Sequence, residues 1–339
     1  MKIIADVMGG DRAPLEMIKG AADAAEVVNA EIVIVGREDV IRKLASENSV
    51  SIEKLTIVNA DDVVSMEDDP LSAVRKKPES SMIKGLNMLS CGEGDAFVSC
   101  GNTGALFTGA YLLVKKIKGI SRPAIGTVLP LEKPVLLLDC GANVECKEEY
   151  LEQFARMGKI YMQNVYGMGN PRVGLLNNGT EDCKGPSLYV ETHKRLAEAE
   201  DIKFVGNVEP TGLNADKCDV LVADGFTGNI LLKTFESVGS LMLGELKGVF
   251  YSNVKTKLSA LLVKKQLSAM KKKYDSEEIG GSPILGIRKP VIKAHGSSKA
   301  KAFKNAIIRA AQFAGSGVVE NIELEMQENR SKGKESQNA

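Results

Sequence analysis

At 339 residues, the chain is long enough for one large α/β domain or two modest ones. Its 44 basic and 44 acidic side chains cancel, and it has no tryptophan and only 5% aromatic residues. It therefore has neither the field nor the stacking platforms of a nucleic-acid binder, and no nucleic acid is expected as a partner. Six scattered cysteines form no C-x-x-C pair and read as reduced thiols. No apolar run approaches the ~20 residues of a membrane span, so a cytoplasmic protein that touches membranes only peripherally is expected.

In chain order, residues 3–5 predict a strand closed by Asp6 and the turn Met8-Gly9-Gly10-Asp11, with a helix over 14–28. Strands at 31–35 and 55–58 flank a helix over 39–47. Asp69-Pro70 opens a charged helical region that runs to about 89 and breaks near Pro78. Strand 96–99 leads into Gly101-Asn102-Thr103-Gly104, and strand 135–138 into Asp139-Cys140-Gly141-Ala142-Asn143, each followed by a helix. Strand 173–176 runs into Asn177-Asn178-Gly179-Thr180-Glu181-Asp182-Cys183-Lys184, before a helix from 187 to about 198. Strands at 204–205 and 220–222 end at Gly206-Asn207-Val208-Glu209 and Asp224-Gly225-Phe226-Thr227-Gly228-Asn229, and a long helix then reaches about 250.

This recurrence of strand, small-residue loop and helix specifies α/β with a mostly parallel sheet. Ligands on such sheets sit at the carboxyl ends of the strands, where every one of these loops is expected to fall. An open sheet and a (β/α)₈ barrel both satisfy that rule. Residues 1–318 read as one catalytic domain, and the polar tail over 319–339 is expected to fray.

The loop after strand 173–176 combines unpaired backbone N–H groups, a following helix dipole and the charge of Lys184, which together favour an anion. It is read as one wall of a phosphate site whose other walls are the remaining loops. Gly9, Gly10, Gly104, Gly179 and Gly228 suit either anion contacts or tight turns. Asn102, Thr103, Asn143, Thr180, Thr227 and Asn229 suit either ligands or caps. Asp6, Asp11, Glu181 and Asp224 match no metal-ligand spacing, so they are expected to hold the loops or orient Lys184, with no metal or cofactor. No G-x-S-x-G, Walker A or early G-x-G-x-x-G motif is present. His193, in the charged run ETHKRLAEAE, reads as a surface residue, so a Ser-His-Asp triad would rest on His295 alone.

Asp6-Val-Met-Gly-Gly-Asp11 with Ala13-Pro14 resembles the N-terminal signature of the bacterial phosphate acyltransferases, the acyl-[acyl carrier protein]:phosphate transacylases. Further blocks match in order: Gly101 to Gly104, Arg122-Pro-Ala124, Asp139 to Asn143, Gly179 to Asp182, Gly206 to Glu209, Asp224 to Asn229 and Ala294-His-Gly296. Arg12, Cys100 and Ser237 stand where that family often has His, Ala and Gly. The resemblance covers roughly residues 1–318. It implies a Rossmann-like three-layer α/β/α fold, similar to that of the isocitrate and isopropylmalate dehydrogenases, in a homodimer. It also implies conversion of acyl carrier protein thioester and inorganic phosphate to acyl phosphate, passed to a downstream glycerol-3-phosphate acyltransferase in phospholipid synthesis. A metal- and nicotinamide-dependent dehydrogenase and a non-catalytic acyl or phosphate sensor at the membrane are the rival readings.

Phosphate is already an anionic nucleophile, so such a site needs a cradle and donors aimed at the tetrahedral oxyanion. Lys184, Asn229 and His295 are the catalytic candidates, with His295 either a proton donor to the leaving thiolate or a buried hydrogen-bonded residue. Gly9, Gly10, Asp11, Asn102, Thr103, Gly104, Asn143, Gly179, Thr180, Glu181, Asp224, Thr227 and Gly228 are the binding candidates.

From Leu246 to Tyr274 there are eight lysines and no acidic residue. Val254, Leu258, Leu261 and Leu262 share one helical face, and Val263, Leu267, Met270 and Tyr274 the opposite one. Two short helices breaking over 263–266 give each a single stripe. Leu258, Leu261, Leu262 and Val263 then form a tip suited to an anionic membrane surface. Packing on a partner subunit or on the acidic carrier are the alternatives.

Overall fold

The computed structural model describes residues 1–274 and 280–337. Its first half carries β1 (Lys2–Asp6), α1 (Leu15–Ala25), β2 (Glu31–Gly36), α2 (Glu38–Glu47), β3 (Leu55–Asn59), α3 (Pro70–Lys76), α4 (Ser81–Ser90), β4 (Ala96–Ser99) and α5 (Thr103–Gly109). Then come β5 (Ala124–Leu129), β6 (Val135–Leu138), α6 (Glu148–Tyr166), β7 (Val173–Leu176), α7 (Ser187–Glu198), β8 (Phe204–Val208) and β9 (Val220–Val222). The chain ends with α8 (Gly225–Tyr251), α9 (Val254–Leu262), α10 (Lys264–Tyr274), β10 (Ser282–Leu285), β11 (Val291–Lys293), α11 (Ala300–Ala314) and α12 (Val318–Gln337).

The strands are apolar on both faces because each face meets its own layer of helices. Ile3 and Ala5 of β1 enter one core with Met17, Ile18 and Phe303, whereas Ile4 enters the other with Met82, Leu86 and Phe97. Leu136 and Leu138 of β6 divide from Val135 and Leu137 in the same way. The result is a three-layer α/β/α sandwich around an open sheet, which removes the barrel alternative. Its strand order is β3-β2-β1-β4-β11-β10-β5-β6-β9-β7-β8.

The three strands that the sequence reading missed change the polarity of this sheet. β11 is parallel to β4, but β10 is antiparallel to both β11 and β5, and β5 is antiparallel to β6. Beyond β6 the strands run parallel again. The halves β1–β4 and β6–β9 therefore point in opposite directions. The expectation that all the loops share one edge is corrected: each half brings its own carboxyl ends, and the antiparallel middle joins them.

Two further differences concern the periphery. The tail expected to fray is helical as α12, and its Val318, Ile322 and Met326 are buried at a spacing of four. Lys159 of α6 reaches Glu325 at 2.8 Å. By contrast, only Gly225 and Gly228 of α8 are buried, so most of this helix, about 40 Å long at 1.5 Å per residue, runs along or beyond the surface. A capping box of Asn253 and Thr256 starts α9, which buries no residue, and α10 begins directly after Val263.

Candidate active site

A buried aspartate organises the loops of each half-sheet. Asp6, at the end of β1, accepts from the N–H groups of Met8 and Gly9 at 3.0 and 3.2 Å and from the hydroxyls of Ser81 and Ser99 at 2.6 and 2.7 Å. Ser99 in turn accepts from the N–H of Gly101 at 3.0 Å, which ties the first loop to the one after β4. Asp139 follows β6 and accepts from the N–H groups of Ile125, Ala142 and Asn143 at 3.0, 3.2 and 2.7 Å. Burial pushes both carboxyls above their ordinary range, against the pull of these hydrogen bonds.

Backbone contacts complete the frame. Gly10 has φ +111°, and a side chain there would meet Cys100 and the carbonyl of Gly296. Asp11 N–H donates to that carbonyl at 2.9 Å, so the loops after β1, β4 and β11 are stitched together. In the other half, Gly225 N–H donates to the carbonyl of Asn143 at 2.7 Å, and the Asp224 carboxylate caps α8 through Phe226 and Thr227 N–H at 2.9 Å.

Where the halves meet lies a cleft of about 880 Å³. Thr103, Gly104 and the segment from Lys293 to Ser298 line it from the first half; Cys140, Gly141 and Ala142 line it from the second. Asn229, Lys233 and Glu236 enter from α8, and Thr127 and Ser282, with hydroxyls 2.7 Å apart, from the middle strands. Met66, Phe107, Ile125 and Leu232 supply apolar lining. Charged and hydrogen-bonding groups together with apolar surface in one cleft suit a ligand with an anionic head and a hydrocarbon part.

Of the residues expected to act, Asp11, Thr103, Gly104, Asn229 and His295 line this cleft. Gly141 has φ +124°, and its missing side chain leaves room for the Asn229 amide. His295 is exposed, with Nδ1 2.9 Å from Ser297 Oγ and accepting from Ser297 N–H at 3.4 Å, which leaves the ring proton on Nε2.

Others serve the frame. Asn102 caps α5 through Ala105 N–H at 3.0 Å, while its amide N–H₂ holds the carbonyls of Ser65, Met66 and Asp68, which sets Met66 on the cleft wall. Asn143 donates to the Pro123 carbonyl at 2.8 Å and to Asp139 at 2.9 Å. Asp224 holds Thr227 Oγ1 at 2.7 Å and Tyr189 OH at 2.5 Å. Gly9 and Gly228 are sites of close backbone approach.

Gly179, Thr180, Glu181 and Lys184 are not among the residues lining the cleft. Their loop follows β7, two strands beyond β6, or about 10 Å at the usual interstrand spacing. There the Lys184 side chain is 45% exposed and 3.7 Å from Glu181. His193, expected at the surface, is buried. It shares the inner face of α7 with Tyr189 and Leu196, and its nitrogens lie 3.1 Å from Asn207 and 3.2 Å from Asp182. Charge density in ETHKRLAEAE does not mark exposure; the spacing of the apolar residues distinguishes the inner face.

Lys293 and Lys233 also line the cleft and were missed. The three-residue strand Val291–Lys293 is too short to show a period, though a lysine ending an apolar triplet just before His295 was a visible irregularity. Burial pushes the Cys100 thiol up to about 12, and the Cys140 thiol higher still, so neither is an activated nucleophile.

The sequence matches the family described as Fatty acid synthesis protein over residues 1–321. The phosphate acyltransferase of Acetivibrio thermocellus is 43% identical over 327 residues, covering 96% of each chain. That of Clostridium novyi is 44% identical over 330 residues, covering 97% of this chain and 99% of the other. Among solved structures, a phosphotransacetylase from Streptococcus pyogenes superposes with a TM-score of 0.60 at 19% identity, over 92% of this chain and 93% of that one. A 4-hydroxythreonine-4-phosphate dehydrogenase from Klebsiella pneumoniae gives 0.55 at 15% identity, over 92% and 98%. The two structural likenesses identify the Rossmann-like α/β fold, which phosphotransacetylases and dehydrogenases share. The match over residues 1–321, with relatives 43% and 44% identical along nearly their whole length, makes this chain an enzyme of the phosphate acyltransferase family.

Proposed function

We propose that the enzyme transfers a fatty acyl group from acyl carrier protein to inorganic phosphate, and that the acyl phosphate feeds phospholipid synthesis. The observation that carries this reading is the cleft that brings the polar and cationic Lys293, His295 and Asn229 together with the apolar Met66, Phe107 and Leu232. An oxygen of hydrogen phosphate forms a bond to the thioester carbonyl carbon. The tetrahedral oxyanion collapses, the C–S bond breaks with its electron pair on sulfur, and the thiolate takes a proton. That proton is the one the attacking phosphate gives up, and His295 Nε2–H steadies the departing sulfur with a hydrogen bond. Asn229 donates to the oxyanion.

Incubating the enzyme with acyl carrier thioester, with and without phosphate, tests this directly. Thiol release that requires phosphate, together with an acyl group trappable by hydroxylamine, is the expected result. No phosphate-dependent release would reject acyl carrier protein as the donor. An acyl phosphate is a mixed anhydride, so a glycerol-3-phosphate acyltransferase close by is the fitting consumer.

In this proposal Lys184 swings from its exposed loop toward the cleft and adds its charge to the phosphate site, since a 3.7 Å contact with Glu181 holds it weakly. Lys184→Ala is then expected to lower turnover on the order of 10², measured by thiol release. Near wild-type turnover in the folded variant would confine the loop to a structural role.

The helical arm is assigned to surfaces outside the domain. Val238, Leu241, Met242 and Val249 share one face of α8 and are all more than half exposed, which suits a second copy of the chain. Leu258, Leu261 and Leu262, at 59, 67 and 84% exposure, form an apolar tip beside Lys255, Lys257, Lys264 and Lys265, which suits an anionic bilayer. No helix among the described residues is long and apolar enough to cross a membrane. Leu258→Glu with Leu262→Glu is expected to abolish co-sedimentation with anionic vesicles while leaving thiol release in solution unchanged. Unchanged sedimentation would reject the membrane role, and equilibrium sedimentation without vesicles reads the subunit number.

A further inference from the structure

β11 is an apolar strand that ends in a charge. Val291 and Lys293 share one face while Ile292 turns to the other core. Lys293 is paired with Ser99 of β4 on one side and Ser282 of β10 on the other, so it stands in the middle of the sheet. The residue is only 8% exposed, and it lines the cleft. Nζ donates to the carbonyl of Cys100 at 3.4 Å and to that of Ala294. Among the described residues no carboxylate lies within ion-pairing distance of it, and Asp6 and Asp11 act on it only from further away.

A lysine ammonium has three donors, and here two are engaged by carbonyls, which leaves one for the cleft. A cation so desolvated, with no counter-ion touching it, is stabilised by any anion that enters. Burial pushes its pKa down, and the charges of Asp11 and Asp6 oppose that shift without reversing it. Lys233 and Lys184 are exposed, so water and salt screen their pull on a bound anion far more.

We propose that Lys293 is a catalytic residue that seats inorganic phosphate at the foot of the cleft, donating to one phosphate oxygen while another attacks the thioester carbon. This rests on the acyl transfer to phosphate proposed above. The bond changes are those already given, and Lys293 exchanges no proton in them.

Lys293→Met keeps the length and removes the charge in a buried site. It is expected to raise the KM for phosphate about 10–100-fold with the KM for acyl thioester within about twofold, and to abolish the heat of phosphate binding in calorimetry. Unchanged phosphate KM and binding in the folded variant would overturn the assignment. Wild-type protein provides a second measurement should the variant not fold: acetylation of Lys293 by acetic anhydride, read by peptide mass, is expected to be suppressed by saturating inorganic phosphate. No protection would also overturn it. Wild-type enzyme that binds phosphate through Lys293 but releases no thiol would instead count against the reading of acyl transfer, so the two failures are distinguishable.

Discussion

Asp6→Ala is expected to lose at least about 4 kcal/mol of stability, because it strands the N–H groups of Met8 and Gly9 and the hydroxyls of Ser81 and Ser99 inside the protein. Each unsatisfied buried group costs about 1–3 kcal/mol, against a total of about 5–15 kcal/mol for a folded domain. Asp6→Asn should cost less than about 2 kcal/mol. Its carbonyl can take the place of the oxygen that serves Met8, Gly9 and Ser81, and the Ser99 hydroxyl can rotate to accept from the amide. Urea unfolding of the two variants checks this contrast, and equal losses would mean that volume matters here more than hydrogen bonding. The sign of the pH effect follows from burial raising the carboxyl's folded-state pKa. Between its ordinary value and the raised one, the folded chain holds more protons at this position than the unfolded chain, so wild-type stability falls as pH rises through that window. The asparagine variant lacks that term, so relative to wild type it should gain stability from about pH 4 upward.

Gly228→Ala should be about as damaging. A Cβ at this position would stand 1.9 Å from the carbonyl oxygen of Asp139, a backbone atom that Asp139's own hydrogen bonds hold in place. The first turn of α8 would have to lift from the loop after β6. Overpacking of this severity costs about 3 kcal/mol or more, and because Asn229 is the next residue, turnover should fall together with stability. Gly244→Ala on the same helix is the control, since nothing lies within 4 Å of its Cβ position. It is expected to be neutral or to stabilise by up to about 1 kcal/mol. Equal behaviour of the two variants would show that α8 is not seated on the Asp139 loop.

The two substitutions probe equivalent places. Asp6 and Asp139 each close a strand and gather the turn beyond it, one in each half-sheet, and the cleft exists because those halves meet. Small-residue loops then bring backbones close enough for Asn229, His295 and Lys293 to share one space. Catalysis by positioning and charge, with no activated cysteine, is the chemistry such a frame allows.

By itself the sequence determined the local structure. Continuous apolar runs such as Val220–Val222 and Val135–Leu138 could only be buried strands, and the break at Pro78 separates α3 from α4 because proline cannot donate in a helix. The ordered motifs from Asp6 to Gly296 pointed to the family because their chemistry is carried by loop residues close to one another in the chain. Only the tertiary structure decided which of those loops meet. Polarity of the half-sheets depends on β5, β10 and β11: β5–β6 and β10–β11 are local hairpins, but β10 pairs with β5 and β11 with β4 across more than 150 residues of chain, which leaves no local signal. The same long-range pairing put Lys293 in the cleft, while Lys184 stays at its flank. Periodicity and turn chemistry act within about ten residues, whereas burial of a lone charge such as Lys293 is set by what a distant strand brings against it.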